Sequence, residues 1–229
     1  MKKLKISEIV FIAVLASALS VFWWGYTFLY DLLKTVLKPL ALMKKLKISE
    51  IVFIAVLASA LGVFWWGYTF LYDLLKPVLK PLALENLLTG IWLMGAIFFP
   101  YIIRKPGSAL LGETIAAFVQ GFIARWGITS LIWGFGQALP VELFFMLLKY
   151  KKWNYLTLSA AGLISAIASF FLSFFWEGWF RLDIKYISIQ FIAFSISGIV
   201  LAGFLSKLLA DKLKKTGVLN QFQIVKDEN

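Results

Sequence analysis

MKKLKISEIVFIAVLASALGVFWWGYTFLYDLLKPVLKPLAL, residues 43–84, is the stretch that decides the fold, because its basic start leads into a long apolar run. At a rise of 1.5 Å per residue, a helix of about 18 or more apolar residues crosses the roughly 30 Å of hydrocarbon in a bilayer. Residues 1–42 repeat this stretch, with Ser20 in place of Gly62 and Thr35 in place of Pro77. The chain therefore contains two copies of one candidate transmembrane helix.

The composition places the rest of the chain in the same class. Hydrophobic residues make up 61% of the sequence and charged residues 15%, and the mean hydropathy is +0.85. Because lipid tolerates no open sheet edge, the apolar runs are predicted to be helices. The sequence thus predicts an all-α, polytopic membrane protein. The predicted helices cover Ile6–Tyr30, Ile48–Tyr72, Leu87–Ile103, Ala109–Ala124, Ile128–Leu148, Leu156–Trp176 and Ile187–Leu209.

The net charge of +11 lies mainly where the predicted helices end, and it forms no patch of the kind that binds nucleic acid. Leaving out the first copy and Lys226 of the tail, 12 basic residues fall on the two chain ends and on the second and fourth connections, against 5 elsewhere. Since the basic-rich side of a membrane protein faces the cytoplasm, we predict six helices in the cell membrane, with both ends of residues 43–229 cytoplasmic. The cytoplasmic set is Lys44, Lys45, Lys47, Arg104, Lys105, Lys149, Lys151, Lys152, Lys207, Lys212, Lys214 and Lys215.

The repeat defines the predicted domain organisation. Residues 43–220 are predicted to form a six-helix substrate-binding domain, and residues 221–229 a polar tail. A seventh spanning helix would place the first basic start outside or move every later basic cluster outside. Residues 1–42 are therefore interpreted as a duplication artefact or as an extra helix beside the bundle.

The residues that the chain lacks exclude much chemistry. The sequence has no cysteine and no histidine, which removes disulfides, thiolate nucleophiles, the usual general base and nearly all structural zinc sites. A glycine-rich phosphate loop is also missing, so ATP hydrolysis would need another subunit. We therefore predict no enzymatic activity, no cofactor and no metal site.

Polar side chains within the apolar runs are the candidate ligand contacts, because each costs a few kcal/mol in lipid unless it is paired or solvated. Amides, carboxylates and indoles at a similar depth suit a flat heteroaromatic ligand, including a cationic one. Glu113 could serve as a ligand contact or as a structural partner. The predicted substrate-binding residues are Glu85, Trp92, Gln120, Trp133, Gln137 and Glu142.

A stripe of small residues on the first helix of the unit, Ala55, Ser59 and Gly62, predicts close helix contact. Such a stripe can pack the bundle itself or dock another membrane subunit. We predict that these three residues dock a partner subunit.

Several short motifs resemble the YkoE family, whose members are S components of energy-coupling factor (ECF) transporters for thiamine or hydroxymethylpyrimidine. Gln137 and Glu142 also stand where the family tends to carry Gln and Glu. The resemblance covers about residues 43–220, and residues 1–42 have no counterpart in the family. The matching motifs are Ile91-Trp92, IIRKPGSAL at 102–110, ETIAA at 113–117 and TGVLN at 216–220.

The resemblance implies a six-helix protein that binds its vitamin from outside under a lid formed by the first loop. Such proteins topple in the membrane when coupled to a T subunit and two ATPase subunits, and the small residues of the first helix typically meet the T subunit. We therefore expect a subunit that binds thiamine or hydroxymethylpyrimidine. The alternatives are an S component for another vitamin and a membrane scaffold that binds only protein.

Overall fold

A computed structural model describes residues 45–226, so the predicted extra helix in residues 1–42 lies outside the described part. The first helix, α1, covers Ile48–Leu79 and begins with a capping box, in which Glu50 Oε2 accepts from the Lys47 N–H at 2.7 Å. The sequence predicted that this helix ends at Tyr72, whereas α1 continues through Pro77. A proline removes one backbone hydrogen bond, and here that loss falls in the last turn, where it interrupts little of the helix.

The second membrane segment is divided between two kinds of helix. Glu85–Leu93 forms a 3₁₀-helix, and α2 follows over Gly95–Ile103, where a single α-helix was predicted. A 3₁₀-helix of this length is uncommon, because its hydrogen bonds have poorer geometry than those of an α-helix. One side chain from a later helix supports it: Ser197 Oγ accepts from the Gly90 N–H and donates to the Leu87 carbonyl, each at 2.7 Å.

The remaining segments follow the predicted order. The helix α3 covers Ser108–Ile123, α4 covers Thr129–Leu147 and α5 covers Tyr155–Trp176. The last membrane segment is longer than predicted and consists of α6, Ile184–Ser197, a π-helical stretch, Gly198–Phe204, and α7, Leu205–Lys215. Short 3₁₀-helices cover Lys80–Leu82 and Trp179–Arg181, and a final turn, α8, covers Gln223–Lys226.

Within residues 45–226, five helical segments are long and apolar enough to cross a membrane. The sixth, α3, is apolar but has 16 residues. This agrees with the predicted all-α polytopic class. The five segments are Ile48–Leu82, Glu85–Ile103, Thr129–Leu147, Tyr155–Trp176 and Ile184–Lys215.

The most buried segment, Glu85–Ile103, contacts each of the other membrane segments. The helix α1 packs on α3, α3 on α4, α4 on α5, and α5 on the π-helical stretch, which in turn packs on the 3₁₀-helix. Glycines permit the closest approach, since a Cβ at Gly162 or Gly198 would collide with the backbone of the other residue. Large apolar side chains such as Phe122 and Leu156 remain exposed on the outside, as lipid-facing residues do.

The end of the bundle that carries most of the lysines is closed by the chain's last described residues. Phe222 and Ile224 are buried, and the Phe222 ring lies 4.2 Å from that of Phe53. Beside them, Glu50 and Lys105 form a buried ion pair at 2.6 Å. The packed unit therefore extends to Lys226, beyond residue 220, where the polar tail was predicted to begin.

Candidate functional site

A cavity of about 1570 Å³ lies at the opposite end of the bundle, where α1, α3 and α5 end and α4 and α6 begin. Five of the six predicted substrate-binding residues line it. They come from three elements, because the 3₁₀-helix, α3 and α4 present polar side chains to the same space. The five are Glu85, Trp92, Gln120, Trp133 and Gln137.

The start of the 3₁₀-helix is tied to α6 by two polar contacts. Glu85 Oε1 accepts from the Tyr186 hydroxyl at 2.6 Å, and the Asn86 Nδ2 group donates to Gln190 Oε1 at 2.6 Å. Glu85 and Asn86 are each only 5% exposed. The second carboxylate oxygen of Glu85 has no partner within residues 45–226, and neither has Gln190 Nε2. Because buried polar groups are nearly always paired and Glu85 lines the cavity, its free oxygen is a candidate contact for a ligand.

Aromatic side chains form one wall of the cavity. The Trp92 ring lies at T-shaped angles to Tyr68 and Tyr72, each with a centroid distance of 5.0 Å, and to Trp126 at 6.2 Å. The indole N–H of Trp92 has no partner in the described part of the chain. The same is true of Trp65, which is 1% exposed and also lines the cavity.

The amide side chains lie on the facing helices α3 and α4. Gln120 donates from Nε2 to Thr69 Oγ1 at 3.3 Å, which joins α3 to α1 beside the cavity. Gln137 is 8% exposed, and Trp133 stands one turn before it on α4. Ser169 and Ser173 of α5 also line this space. The lining therefore combines hydrogen-bonding groups with aromatic surface, as small-molecule sites do.

Charged residues surround the mouth. Arg125 forms a two-pronged ion pair with Asp73, at 2.7 and 2.8 Å, and this pair joins the end of α1 to the α3–α4 connection. The hydrogen bond to Asp73 raises the pKa of the Arg125 guanidinium. Lys76, Lys80 and Glu177 line the same mouth.

Glu142 does not line the cavity, and this placement corrects its predicted role. Its carboxylate accepts from the backbone N–H groups of Gly107, Ala109 and Leu110, at 2.6, 2.9 and 3.2 Å, and from the Tyr150 hydroxyl. These N–H groups belong to the first turn of α3, which a carboxylate stabilises. Burial is the main reason that the pKa of Tyr150 is raised. Glu142 therefore anchors α3 at the lysine-rich end.

The predicted docking stripe is also only partly available. A Cβ at Gly62 would collide with the Ala116 carbonyl and lie 2.9 Å from the Val119 Cβ, so Gly62 faces α3 inside the bundle. This corrects its assignment as a partner-docking residue. Ala55 and Ser59 are half-buried, and Ser59 Oγ donates to the Ala55 carbonyl at 2.7 Å.

Glu113 has a structural contact at mid-bundle. It is fully buried, and its Oε2 accepts from the Ala96 N–H at 2.7 Å, where α2 begins after the 3₁₀-helix. Among residues 45–226, no group of three or more Asp and Glu side chains could hold a metal ion.

Sequence reasoning missed Trp65 and Tyr186. Trp65 shares the face of α1 that carries the other buried residues, Ala58, Gly62 and Thr69, and this spacing was the available signal. Tyr186 carried no such signal, because its pairing with Glu85 spans 101 residues.

The fold and the cavity define a polytopic helical membrane protein with a polar, aromatic-walled cavity at one end. Residues 49–168, about half of the chain, match the family model described as "ABC-type cobalt transport system, permease component". Over 139 residues the chain is 36% identical to "Putative HMP/thiamine permease protein YkoE" of Bacillus subtilis (strain 168), covering 60% of this chain and 70% of that protein. HMP is hydroxymethylpyrimidine.

A solved structure titled "Crystal structure of an S-component of ECF transporter" is similar with a TM-score of 0.75 and 32% identity. The match covers 80% of this chain and 93% of that one. The chain belongs to the YkoE family and is an S component of an ECF transporter. Both the fold class and the family resemblance predicted from the sequence are thereby confirmed.

Proposed function

We propose that this S component captures thiamine or hydroxymethylpyrimidine in the cavity lined by Glu85, Gln120 and Gln137. The observation that carries the proposal is the set of buried, unpartnered polar atoms on the lining residues Glu85, Trp65 and Trp92. An aminopyrimidine offers both hydrogen-bond donors and acceptors to such groups. The name of the B. subtilis relative, 36% identical, supports the same ligands.

In this proposal Gln120 and Gln137 hydrogen-bond the polar edge of the ligand, and Trp133 stacks on its ring. Glu85 accepts from a cationic or amino group. Glu142 is dropped from the set, because the amides of α3 and the Tyr150 hydroxyl already use its oxygens.

The delivery step of the proposal requires partners. The S component would release its ligand by toppling when it couples to a T subunit and two ATPase subunits, with no catalysis of its own. Ala55 and Ser59, half-buried on α1, remain the proposed docking residues. The basic end of the bundle supports a cytoplasmic location for both ends of residues 43–229, which leaves the cavity open to the outside.

The test is a tryptophan-fluorescence titration of the full chain in detergent with thiamine and hydroxymethylpyrimidine, and with riboflavin and Co²⁺ as controls. We expect saturable quenching by at least one pyrimidine, weakened about tenfold by Gln137→Ala, since a buried hydrogen-bond partner is lost. Gln221→Ala, an exposed amide at the other end, is the matched control. Binding of riboflavin instead would favour another vitamin.

A scaffold that binds only protein is the remaining alternative. It predicts no saturable response to any of the four compounds, and it predicts that Gln120→Ala and Gln137→Ala leave partner binding unchanged. The absence of any saturable response, with a folded protein, would remove the proposal.

A further inference from the structure

At the lysine-rich end of the bundle, charged and apolar side chains meet on one surface between the start of α5 and α7. The Tyr155 ring lies 4.9 Å from the Phe204 ring, and Lys207 Nζ lies 4.7 Å from the centroid of the same Tyr155 ring. The next residue, Leu156, is 80% exposed. Two lysines of the preceding turn complete the surface. The α5–α7 surface is defined by Lys151, Lys152, Tyr155, Leu156, Phe204 and Lys207.

The turn between α4 and α5 is anchored to α4. Tyr150 has a φ of 53°, in the left-handed region that a bulky side chain seldom adopts. Its hydroxyl donates to Glu142, and its carbonyl accepts from the Trp153 indole N–H at 3.0 Å. The Trp153 ring stacks on Phe145 at 4.9 Å. These contacts hold the unusual backbone in place and thereby position the two lysines of the turn.

Lys207 is held next to this turn. Its Nζ group donates to Asp211 Oδ2 at 2.8 Å and to the Tyr101 hydroxyl at 2.7 Å. The centroid of the Tyr101 ring is 6.1 Å from that of Trp153 in the turn. Tyr101 therefore contacts both Lys207 and the turn, which brings three lysines to the same edge of the bundle.

The charge of this surface is unbalanced. Asp211 offsets Lys207, whereas Lys151 and Lys152 are exposed and form no ion pair within residues 45–226. Basic side chains at the level of the lipid headgroups attract anionic lipids. The two lysines thus favour a partner with a negative charge.

The apolar part of the surface indicates which anionic partner fits. Leu156 and Phe204 belong to segments that are long and apolar enough to span the membrane, and Phe204 is 46% exposed. A water-soluble acidic partner would match the lysines alone. A phospholipid combines an anionic phosphate with apolar chains, so it matches both parts of the surface.

We propose that the α5–α7 surface binds one anionic phospholipid. The phosphate lies at the three lysines, and an acyl chain follows the aromatic and aliphatic side chains toward the middle of the bilayer. The bound lipid joins the α4–α5 turn to α7. This site is at the opposite end of the bundle from the cavity, so the proposal is independent of the ligand that the cavity takes.

Native mass spectrometry of the full chain in detergent tests the site, because it resolves each bound lipid. The probes are phosphatidylglycerol and phosphatidylcholine with identical acyl chains. We expect the first phosphatidylglycerol to bind at least about tenfold more tightly than the first phosphatidylcholine, since each lysine near the headgroup contributes about fivefold. Lys151→Gln/Lys152→Gln should weaken phosphatidylglycerol by about tenfold and leave phosphatidylcholine within about twofold.

Lys212→Gln/Lys215→Gln is the matched control. Both lysines are exposed on α7 at the same end of the bundle, and this variant loses the same charge. It should change the phosphatidylglycerol affinity by less than about twofold, because the two lysines lie outside the α5–α7 surface. Thermal unfolding of both variants verifies that they are folded.

Three results would overturn the proposal. Equal affinity of the wild type for the two lipids would mean that the surface does not recognise an anionic headgroup, and it would favour an acidic partner protein at the lysines. An equal loss in the two lysine variants would mean that the overall charge of this end attracts the lipid. Displacement of phosphatidylglycerol by glycerol 1-phosphate at the same concentration would mean that the lysines bind a soluble phosphate without the acyl chain.

Discussion

The Tyr186 hydroxyl donates to Glu85 Oε1 at 2.6 Å, and the second oxygen of this buried carboxylate has no partner within residues 45–226. The two residues are 101 positions apart and join α6 to the 3₁₀-helix. Tyr186 is thus a positioning residue for Glu85, because the hydrogen bond restricts where the carboxylate can turn.

Replacing Tyr186 with phenylalanine should lower thiamine affinity by about threefold to tenfold, since one hydrogen bond to a charged group is lost and Glu85 becomes free to rotate. Titration calorimetry measures the change. Tyr155→Phe is the matched control, because Tyr155 lies at the start of α5, away from the cavity. Equal affinity of Tyr186→Phe and wild type would show that Glu85 needs no such support.

The contact between α1 and α3 gives a prediction on stability. Gly62 meets the Ala116 carbonyl, so a serine there overpacks the contact. The first copy of the repeat carries that serine, Ser20. We expect Gly62→Ser to lower the free energy of unfolding by about 1–3 kcal/mol. Thermal unfolding in detergent measures it.

Gly67→Ser provides the control for the same substitution in the same helix. A Cβ at Gly67 meets nothing within 4 Å, so this change should be neutral or slightly stabilising through helix propensity. If both variants unfold at the wild-type temperature, the packing of α1 on α3 does not limit the size of the side chain at position 62.

The role of Glu142 separates stability from binding. Its carboxylate accepts from the N–H groups of Gly107, Ala109 and Leu110, and Gly107 has a φ of 86°, a value that favours glycine. Glu142→Gln replaces one accepting oxygen with a donor that faces these N–H groups. We expect a loss of about 2–3 kcal/mol in unfolding free energy, with thiamine affinity of the folded protein within about twofold.

Gln137→Ala should behave in the opposite way, with weaker binding and little change in stability. Paired measurements of unfolding and calorimetric titration on both variants distinguish the two roles. A selective loss of thiamine affinity in Glu142→Gln would return Glu142 to the binding site.

The sequence predicted five of the residues that line the cavity through two kinds of signal, depth in the membrane and chemical type. Gln120 and Gln137 are among these five, because their helices are regular and their depths follow from the charged ends. Glu142 has similar chemistry, but its partners are backbone amides of another helix, which no side-chain pattern reveals. Of the adjacent residues Trp65 and Trp66, only Trp65 lies on the buried face of α1, so this face had to be recognised before the two could be told apart.

The sequence also did not predict the irregular backbone of the second membrane segment. The apolar run that contains Glu85–Leu93 reads equally well as an α-helix, and its 3₁₀ geometry depends on contacts more than a hundred residues away. Ser197 makes two of these contacts, with the Gly90 N–H and the Leu87 carbonyl. Tertiary contacts therefore override the local preference here.

Removing the Ser197 hydroxyl tests whether its two hydrogen bonds maintain the 3₁₀-helix. In Ser197→Ala the buried Gly90 N–H loses its acceptor, which should lower the unfolding free energy by about 1–3 kcal/mol. Because the same helix carries Glu85 and Trp92, thiamine affinity should fall as well. Ser195→Ala is the matched control, since its hydroxyl donates to the Phe191 carbonyl in its own helix. Hydrogen exchange at Gly90 should rise in the first variant alone, and unchanged exchange there would mean that the helix holds its geometry without Ser197.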